Sequence, residues 1–446
     1  MKIFRKPLAA LAAFVGSATA TATAGAGARA DLDARLAAIV RGAPEAHTGG
    51  AVAGAALAVL ADGEIVYANA AGCAAFANDG RSCARPLEAS AKVRVASISK
   101  MALALGLFAL VDDGRVALDD DASAHLGRAF RNPRYPDDPI TVGQLLSHTS
   151  SVRDPEAYWV AAPGDFWTIF EGAAAFAAPA ADGASRAPGR YFEYANLNYG
   201  VLAMIIENVA GERFDLFMNA RVFAPMGLDV GFNWSGVSAP ARAAGAPLHR
   251  WSTDDERWRE TVDDAAMRAG HGPYFLAADD LDRAAYLKSY APGANATLFS
   301  PQGGLRANPA DLARLATRAG REPRFVEPVW RADGANGETL DGYFGAFGHG
   351  AYYASTEGLG PHAPAGGLVG HGGEAYGLYS GAWAAPEAGL AVGFVVTGTG
   401  AMAANRGENA GFTSVEAALM RLAFDAAAAT APAVNGSETP AGEAER

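Results

Sequence analysis

The stretch VRVASISKMALALGLFALVDDG, residues 93–114, sets Ser97 and Lys100 three positions apart at the mouth of a long apolar run. Met101 to Val111 is apolar almost all round, the pattern of a helix buried in a large core. On a helix, residues i and i+3 share a face, so Ser97 Oγ and Lys100 Nζ can meet while Ser99 points elsewhere. A serine hydroxyl is a weak nucleophile until a base takes its proton, and a lysine made neutral by burial can be that base. The helix N-terminus adds free N–H groups and partial positive charge beside an incoming carbonyl oxygen. The pair predicts acyl transfer through a serine ester.

Lysine usage points the same way. Beyond residue 30 the only lysines are Lys92, Lys100 and Lys288, and arginine supplies the other positive charge. Arginine stays protonated, so a lysine at position 100 marks an amine that can lose its proton.

The chain begins MKIFRK, continues through the apolar PLAALAAFVG and reaches Ala28-Arg29-Ala30. This reads as an export leader over residues 1–30, cleaved near Ala30, which places the protein in the periplasm or outside the cell. The apolar run is shorter than the roughly 20 residues a membrane span needs, so no stable span is expected. In an oxidising compartment Cys73 and Cys83 form a plausible small-loop disulfide. Neither CxxC nor HxxxH spacing occurs, so no metal site is expected, and nothing calls for a cofactor. The formal net charge is −12 and deepens once Lys2, Arg5, Lys6 and Arg29 leave with the leader. Nucleic acid and anionic lipid are therefore poor partners, which leaves a small molecule or short peptide as substrate. The oligomeric state is not legible.

Asp31–Arg41 has helical periodicity, and AVAGAALAVL and EIVYANAAG flank the turn Ala61-Asp62-Gly63 as two strands. Strand-like sequence returns in GLYSGAWAA and LAVGFVVTG, joined by Pro386-Glu387-Ala388-Gly389. Thr413 and Glu416 form a capping-box signal for a last helix running to about residue 428, and 429–446 read as a disordered tail. The expectation is an α+β fold: an antiparallel sheet from about 31–100 and 300–428, flanked by helices, with a helical lobe at about 101–231. Residues 232–300 carry Trp234, Trp251 and Trp258 among many charges. They read either as a surface excursion or as a lid over the cleft between lobes, where a site would sit.

RVASISK with its apolar run and Asp112-Asp113-Gly114 resembles the serine β-lactamase and penicillin-binding superfamily, most closely its class C and esterase-like branch, whose nucleophile element is Ser-x-x-Lys. ITVGQLLSHTSSV, PGRYFEYANLNYG, QGGLRANPADLARLA and GLVGHGGEAYG follow in the order that branch shows, and four ordered matches are far more specific than one tetrapeptide. The resemblance implies a β-lactamase-like fold and makes Tyr194-Ala195-Asn196 the second motif. Tyr194 then shares proton transfer with Lys100, and Asn196 orients the substrate amide and the lysine. The copy Tyr67-Ala68-Asn69 reads as ordinary strand. His148 is a structural element near the cleft.

Where the β-lactamases carry Lys-Thr-Gly, this chain has His371-Gly372-Gly373. A histidine is only partly charged near neutrality, so efficient β-lactam hydrolysis is not expected. The His-x-Gly form resembles peptidase and esterase members instead. The resemblance gives His371 and Gly373 to substrate binding and makes the backbone N–H groups of Ser97 and Glu374 the oxyanion hole. Three rival readings stay open: a true β-lactamase, a peptidoglycan DD-peptidase, and a catalytically silent homologue that binds cell-wall peptides.

Overall fold

A computed structural model of the chain describes residues 25–399 and 411–430, apart from residues 47, 49, 181, 182, 184, 265, 266 and 269–273. Residues 1–24 of the 1–30 leader and residues 431–446 of the 429–446 tail lie outside the described residues, whereas residues 26–30 and 429–430 are helical.

The strands are β1 (Gly54–Ala61), β2 (Glu64–Phe76), β3 (Cys83–Pro86), β4 (Val93–Arg94), β5 (Gly231–Phe232), β6 (Leu248–Ser252), β7 (Arg257–Val262), β8 (Leu305–Ala307), β9 (Trp330–Arg331), β10 (Ala346–Phe347), β11 (Tyr352–Ala354), β12 (Leu368–Ala375), β13 (Leu378–Ala385) and β14 (Leu390–Thr397). The longer helices are α1 (Ala26–Arg41), α2 (Ile98–Asp112), α3 (Leu197–Ala210), α4 (Pro309–Gly320) and α5 (Ser414–Thr430). Nine strands form one antiparallel sheet in the order β3-β2-β1-β14-β13-β12-β11-β10-β9. The early hairpin is closed onto the C-terminal strands by β1 against β14, with Leu57 opposite Phe394.

Period-two alternation decides what each sheet face receives. Leu57, Val59, Trp383, Val392 and Phe394 point to the face covered by α1 and α5, where large side chains fill the layer. Ala56, Ala382, Ala384 and Ala391 point to the other face, whose small residues let α4 lie close. At Gly393 the approach is closest: a Cβ there would meet Pro309 O at 2.0 Å. α4 starts cleanly because Asn308 and Asp311 form a capping box with Pro309 at the first turn. Asp311 also takes a short hydrogen bond from the buried Lys92, which ties the segment before the serine to α4.

α1 begins at Ala26, five residues ahead of the Asp31 start read from periodicity. The intervening Ala and Arg residues are good helix formers with no stop signal, and Arg29 reaches across to Ala68 O at 3.2 Å. Cys73 on β2 is bonded to Cys83 on β3. Among the described residues no helix is long and apolar enough to cross a membrane.

Candidate active site

α2 is buried through Leu110 apart from the partly exposed Ala109, as its all-round apolar sequence requires, and its N-terminal end opens into a cavity of about 790 Å³. Ser97 caps the helix at the cavity wall. Lys100, one turn on, is wholly buried, with Nζ 3.0 Å from Ser97 Oγ. The same nitrogen bonds Asn196 Oδ1 at 2.8 Å and Gln302 O at 3.1 Å. Both of those oxygens are acceptors only, so they take the two N–H groups of a neutral amine and leave its lone pair for Ser97 Oγ–H. Burial brings the Lys100 amine down from its ordinary value to about 7, against a smaller upward pull from Asp154. Ser99 faces away and accepts from Leu305 N at 2.9 Å, which pins β8 to α2.

Tyr194 lines the same cavity as Ser97, whose hydroxyl acts on its phenol, and lies with its ring centroid 4.8 Å from Lys100 Nζ. Burial raises its phenol well above the ordinary value, so the resting group is protonated. The ring is held between two neighbours, His148 stacked at 4.3 Å and Phe344 at 5.2 Å. His148 is fixed in turn: its Nδ1 accepts from Ala195 N at 3.1 Å, and burial keeps it uncharged. The copy Tyr67 lies in β2 and bonds Asp33, remote from the serine in the sheet.

Asn196 carries the amide that faces Lys100, and its orientation is set by Asp154. Asp154 Oδ2 accepts from Asn196 Nδ2 at 2.8 Å and from Asn196 N at 2.9 Å, and Oδ1 accepts from Leu197 N at 2.8 Å. With Nδ2 committed to the carboxylate, Oδ1 must point at the amine. Sequence reading missed Asp154 and Gln302. Asp154 stands 42 residues from Asn196 and belongs to no motif that spacing can flag, whereas Gln302 acts through a backbone oxygen that any residue offers.

β12 passes beside the serine. A Cβ on Gly373 would lie 2.5 Å from Val95 O and 3.2 Å from Ser97 N, so only glycine permits this approach. Ser380, paired with Gly373 across β12 and β13, donates to Val95 O at 3.0 Å and holds the sheet against the turn before the helix. Ser97 and Glu374 line the same cavity, as do Asn196 and His371. His371 differs from the sequence expectation of a partly charged group. It is buried, donates Nδ1–H to Gly372 O at 2.5 Å, and is brought down to about 3 by burial and then by the Lys100 charge. It is a neutral ring at any physiological pH and offers no cation. From the 232–300 segment, Arg250 and Trp251 reach the cavity wall.

A family model described as Beta-lactamase matches residues 32–412. Esterase EstB of Burkholderia gladioli is 30% identical over 235 residues, 49% of this chain and 56% of that protein. The D-alanyl-D-alanine-carboxypeptidase/endopeptidase AmpH of Escherichia coli (strain K12) is 29% identical over 137 residues, 30% of this chain and 35% of that one. The match thus spans about half or less of these curated relatives. Among solved structures, the D-amino acid amidase from Ochrobactrum anthropi SV3 complexed with D-phenylalanine superposes with a TM-score of 0.58 at 20% identity, covering 88% of this chain and 98% of that one. At that identity the likeness concerns the fold.

Proposed function

The chain belongs to the beta-lactamase family of serine hydrolases, and from that premise we propose that it is an exported enzyme that opens an amide or ester bond through an acyl-Ser97 intermediate. The observation that carries this reading is the contact of 3.0 Å between Ser97 Oγ and an amine whose burial brings it to about 7. At neutral pH about half of that amine holds no proton, so it can take the one on Ser97 as the hydroxyl attacks. The Tyr194 phenol returns a proton to the leaving group and afterwards relays one from the incoming water. Asn196 holds the lysine and one edge of the substrate, and His371 contributes an uncharged ring to the cavity wall. The backbone N–H groups of Ser97 and Glu374 receive the developing oxyanion, and the Gly373 approach supports that role because it brings β12 to the helix start.

Export is inferred from the MKIFRK leader with its apolar core and from the cysteine pair. Small amides or esters are favoured over β-lactams, because the strand that carries a lysine in the β-lactamases here carries a neutral histidine. Wild-type protein and Ser97→Ala are exposed to a fluorophosphonate probe and a fluorescent penicillin, and intact mass is read. The expected result is one adduct on the wild type and none on the variant. An adduct that survives in Ser97→Ala refutes the assignment.

A further inference from the structure

Arg94 lies three residues before the serine and lines two cavities at once. One is the catalytic cavity; the other is a side cavity of about 250 Å³ walled by Trp159, Val262, Phe275, Leu276 and Leu298. Tyr158, Gln302 and Tyr376 are the other residues common to both, so Arg94 stands in the neck between them. Its Nε donates to Gly303 O at 2.8 Å and its Nη2 to Ser300 Oγ at 3.0 Å, and its guanidinium lies over the Tyr376 ring at 4.8 Å. These contacts orient the group yet use only two of its five N–H donors.

The charges around Arg94 do not balance. The strongest charges acting on it are those of Arg306, which repels it, and of Asp263, which attracts it. Asp263 is committed to Arg306 by a two-point pair, Nε to Oδ2 at 2.9 Å and Nη2 to Oδ1 at 2.6 Å, with Trp234 Nε1 on the same oxygen at 3.1 Å. Two cations therefore share one carboxylate, and among the described residues no carboxylate forms an ion pair with Arg94. A guanidinium stays protonated in such a place, and a partly desolvated cation with free donors is a strong receptor for a carboxylate. In the catalytic cavity His371 is neutral and supplies no competing cation, and Arg250 is the other arginine on its wall.

We propose that Arg94 selects the substrate by pairing with a carboxylate on it, at the neck where an apolar arm of that substrate enters the side cavity. The substrate class is then an amide or ester that bears both an anionic group and an apolar segment. This proposal rests on the acyl-Ser97 reading.

The test compares kcat/KM for two isosteric pairs: p-nitrophenyl hemiadipate against p-nitrophenyl hexanoate, and 4-carboxyphenyl hexanoate against 4-carbamoylphenyl hexanoate. The first pair places the carboxylate on the acyl side, the second on the leaving side. Arg94→Ala is expected to lose about 10- to 100-fold on the carboxylate member of one pair and under about threefold on its neutral partner. Arg94→Lys should recover part of that loss. An equal loss on charged and neutral members of both pairs would mean that Arg94 only holds the Gly303 loop, and the proposal would fall. Should the alanine variant not fold, salt decides on the wild type: the preference for the carboxylate member must shrink as NaCl rises towards molar, and a constant preference overturns the idea. Fluorophosphonate labelling of Ser97 is read alongside. Labelling without any carboxylate preference sinks the Arg94 proposal alone, whereas absence of labelling and of turnover sinks both.

Discussion

Replacing Asp154 by Asn tests how the lysine is held and tuned. The carboxylate accepts three hydrogen bonds, from Asn196 N, Asn196 Nδ2 and Leu197 N. An asparagine presents one oxygen and one NH2, so at least one of those N–H groups must face another donor. Losing one hydrogen bond to a charged acceptor costs about 1.5–3 kcal/mol. If that loss falls on the Asn196 orientation that positions Lys100, kcat/KM drops by about 10- to 100-fold. The charge acts separately. Two 2.8 Å bonds in series through one amide put the carboxylate and the amine on the order of 7 Å apart. At an effective dielectric of about 20, opposite charges at that distance attract by about 2 kcal/mol, or between one and two pH units. Asp154 favours the protonated amine, so removing its charge lowers the Lys100 value below about 7. With the neutral amine as the proposed base, wild-type kcat/KM is expected to rise with pH through about 7, and in Asp154→Asn that acid limb is expected to move to lower pH by about a unit or more. The assay is kcat/KM on a p-nitrophenyl ester from pH 5 to 9. A variant whose limb stays put or moves up refutes the coupling, whatever happens to its plateau, because simple misfolding lowers the plateau without displacing the limb downward.

Lys100→Arg keeps a cation in place but removes the lone pair. It is expected to lower kcat by about 10²–10⁴ with no recovery up to pH 10, and activity within tenfold of wild type would rule out the amine as base. Lys92 and Asp311 are both buried and hydrogen-bonded to each other. Lys92→Met leaves an unpaired buried carboxylate, which should cost about 3–5 kcal/mol, or about 4–6 °C in Tm for a chain of this size. Lys92→Met combined with Asp311→Leu should lose less than the two single changes together. Differential scanning calorimetry measures both, and a shift under about 1 °C in the single variant would show the pair to be unimportant.

The four strands β1, β2, β13 and β14 at the heart of the nine-stranded sheet were legible because they alternate residues between two faces on a two-residue period, and the buried helix because Met101 to Val111 offers no polar face; the short β3 and β9 to β11 are too brief to show a period. α1 shows where periodicity runs out: its first turn is alanine, glycine and arginine, which carry no apolar stripe, and its helical form shows only in the backbone hydrogen bond from Arg29 N to Gly25 O. In the candidate site, Ser97, Lys100 and Tyr194 could be named because their chemistry is unusual and their motifs are ordered along the chain. Asp154 and Gln302 could not. Each acts across a fold-dependent contact, at separations of 42 and 202 residues from the group it serves, and neither side-chain type nor local pattern distinguishes it. The charge of His371 was misread for a related reason. An isolated histidine titrates near neutrality, and only burial in the assembled sheet, with the Lys100 charge beside it, brings this one down to about 3 and leaves it neutral at pH 7.

Burial also explains why the trio can work without a permanently charged base. The same desolvation lowers the value of an amine and raises that of a phenol, since it penalises whichever form is charged. At pH 7 an amine brought to about 7 is about half neutral, while a phenol raised well above its ordinary value by burial keeps its proton. On the proposed mechanism Lys100 is therefore the base that meets the substrate, and Tyr194 arrives as a proton donor. His148 and His371 are also neutral, so on the proposed mechanism the attack itself creates two opposite charges beside Ser97, an ammonium on Lys100 and an oxyanion at the substrate carbonyl. In that proposal Asp154, reached through the Asn196 amide, stabilises the first, and the N–H groups at the start of α2 and along β12 stabilise the second. A cleft of this kind favours the transition state over the resting state because its fixed charges and dipoles stand where charge appears only during the reaction.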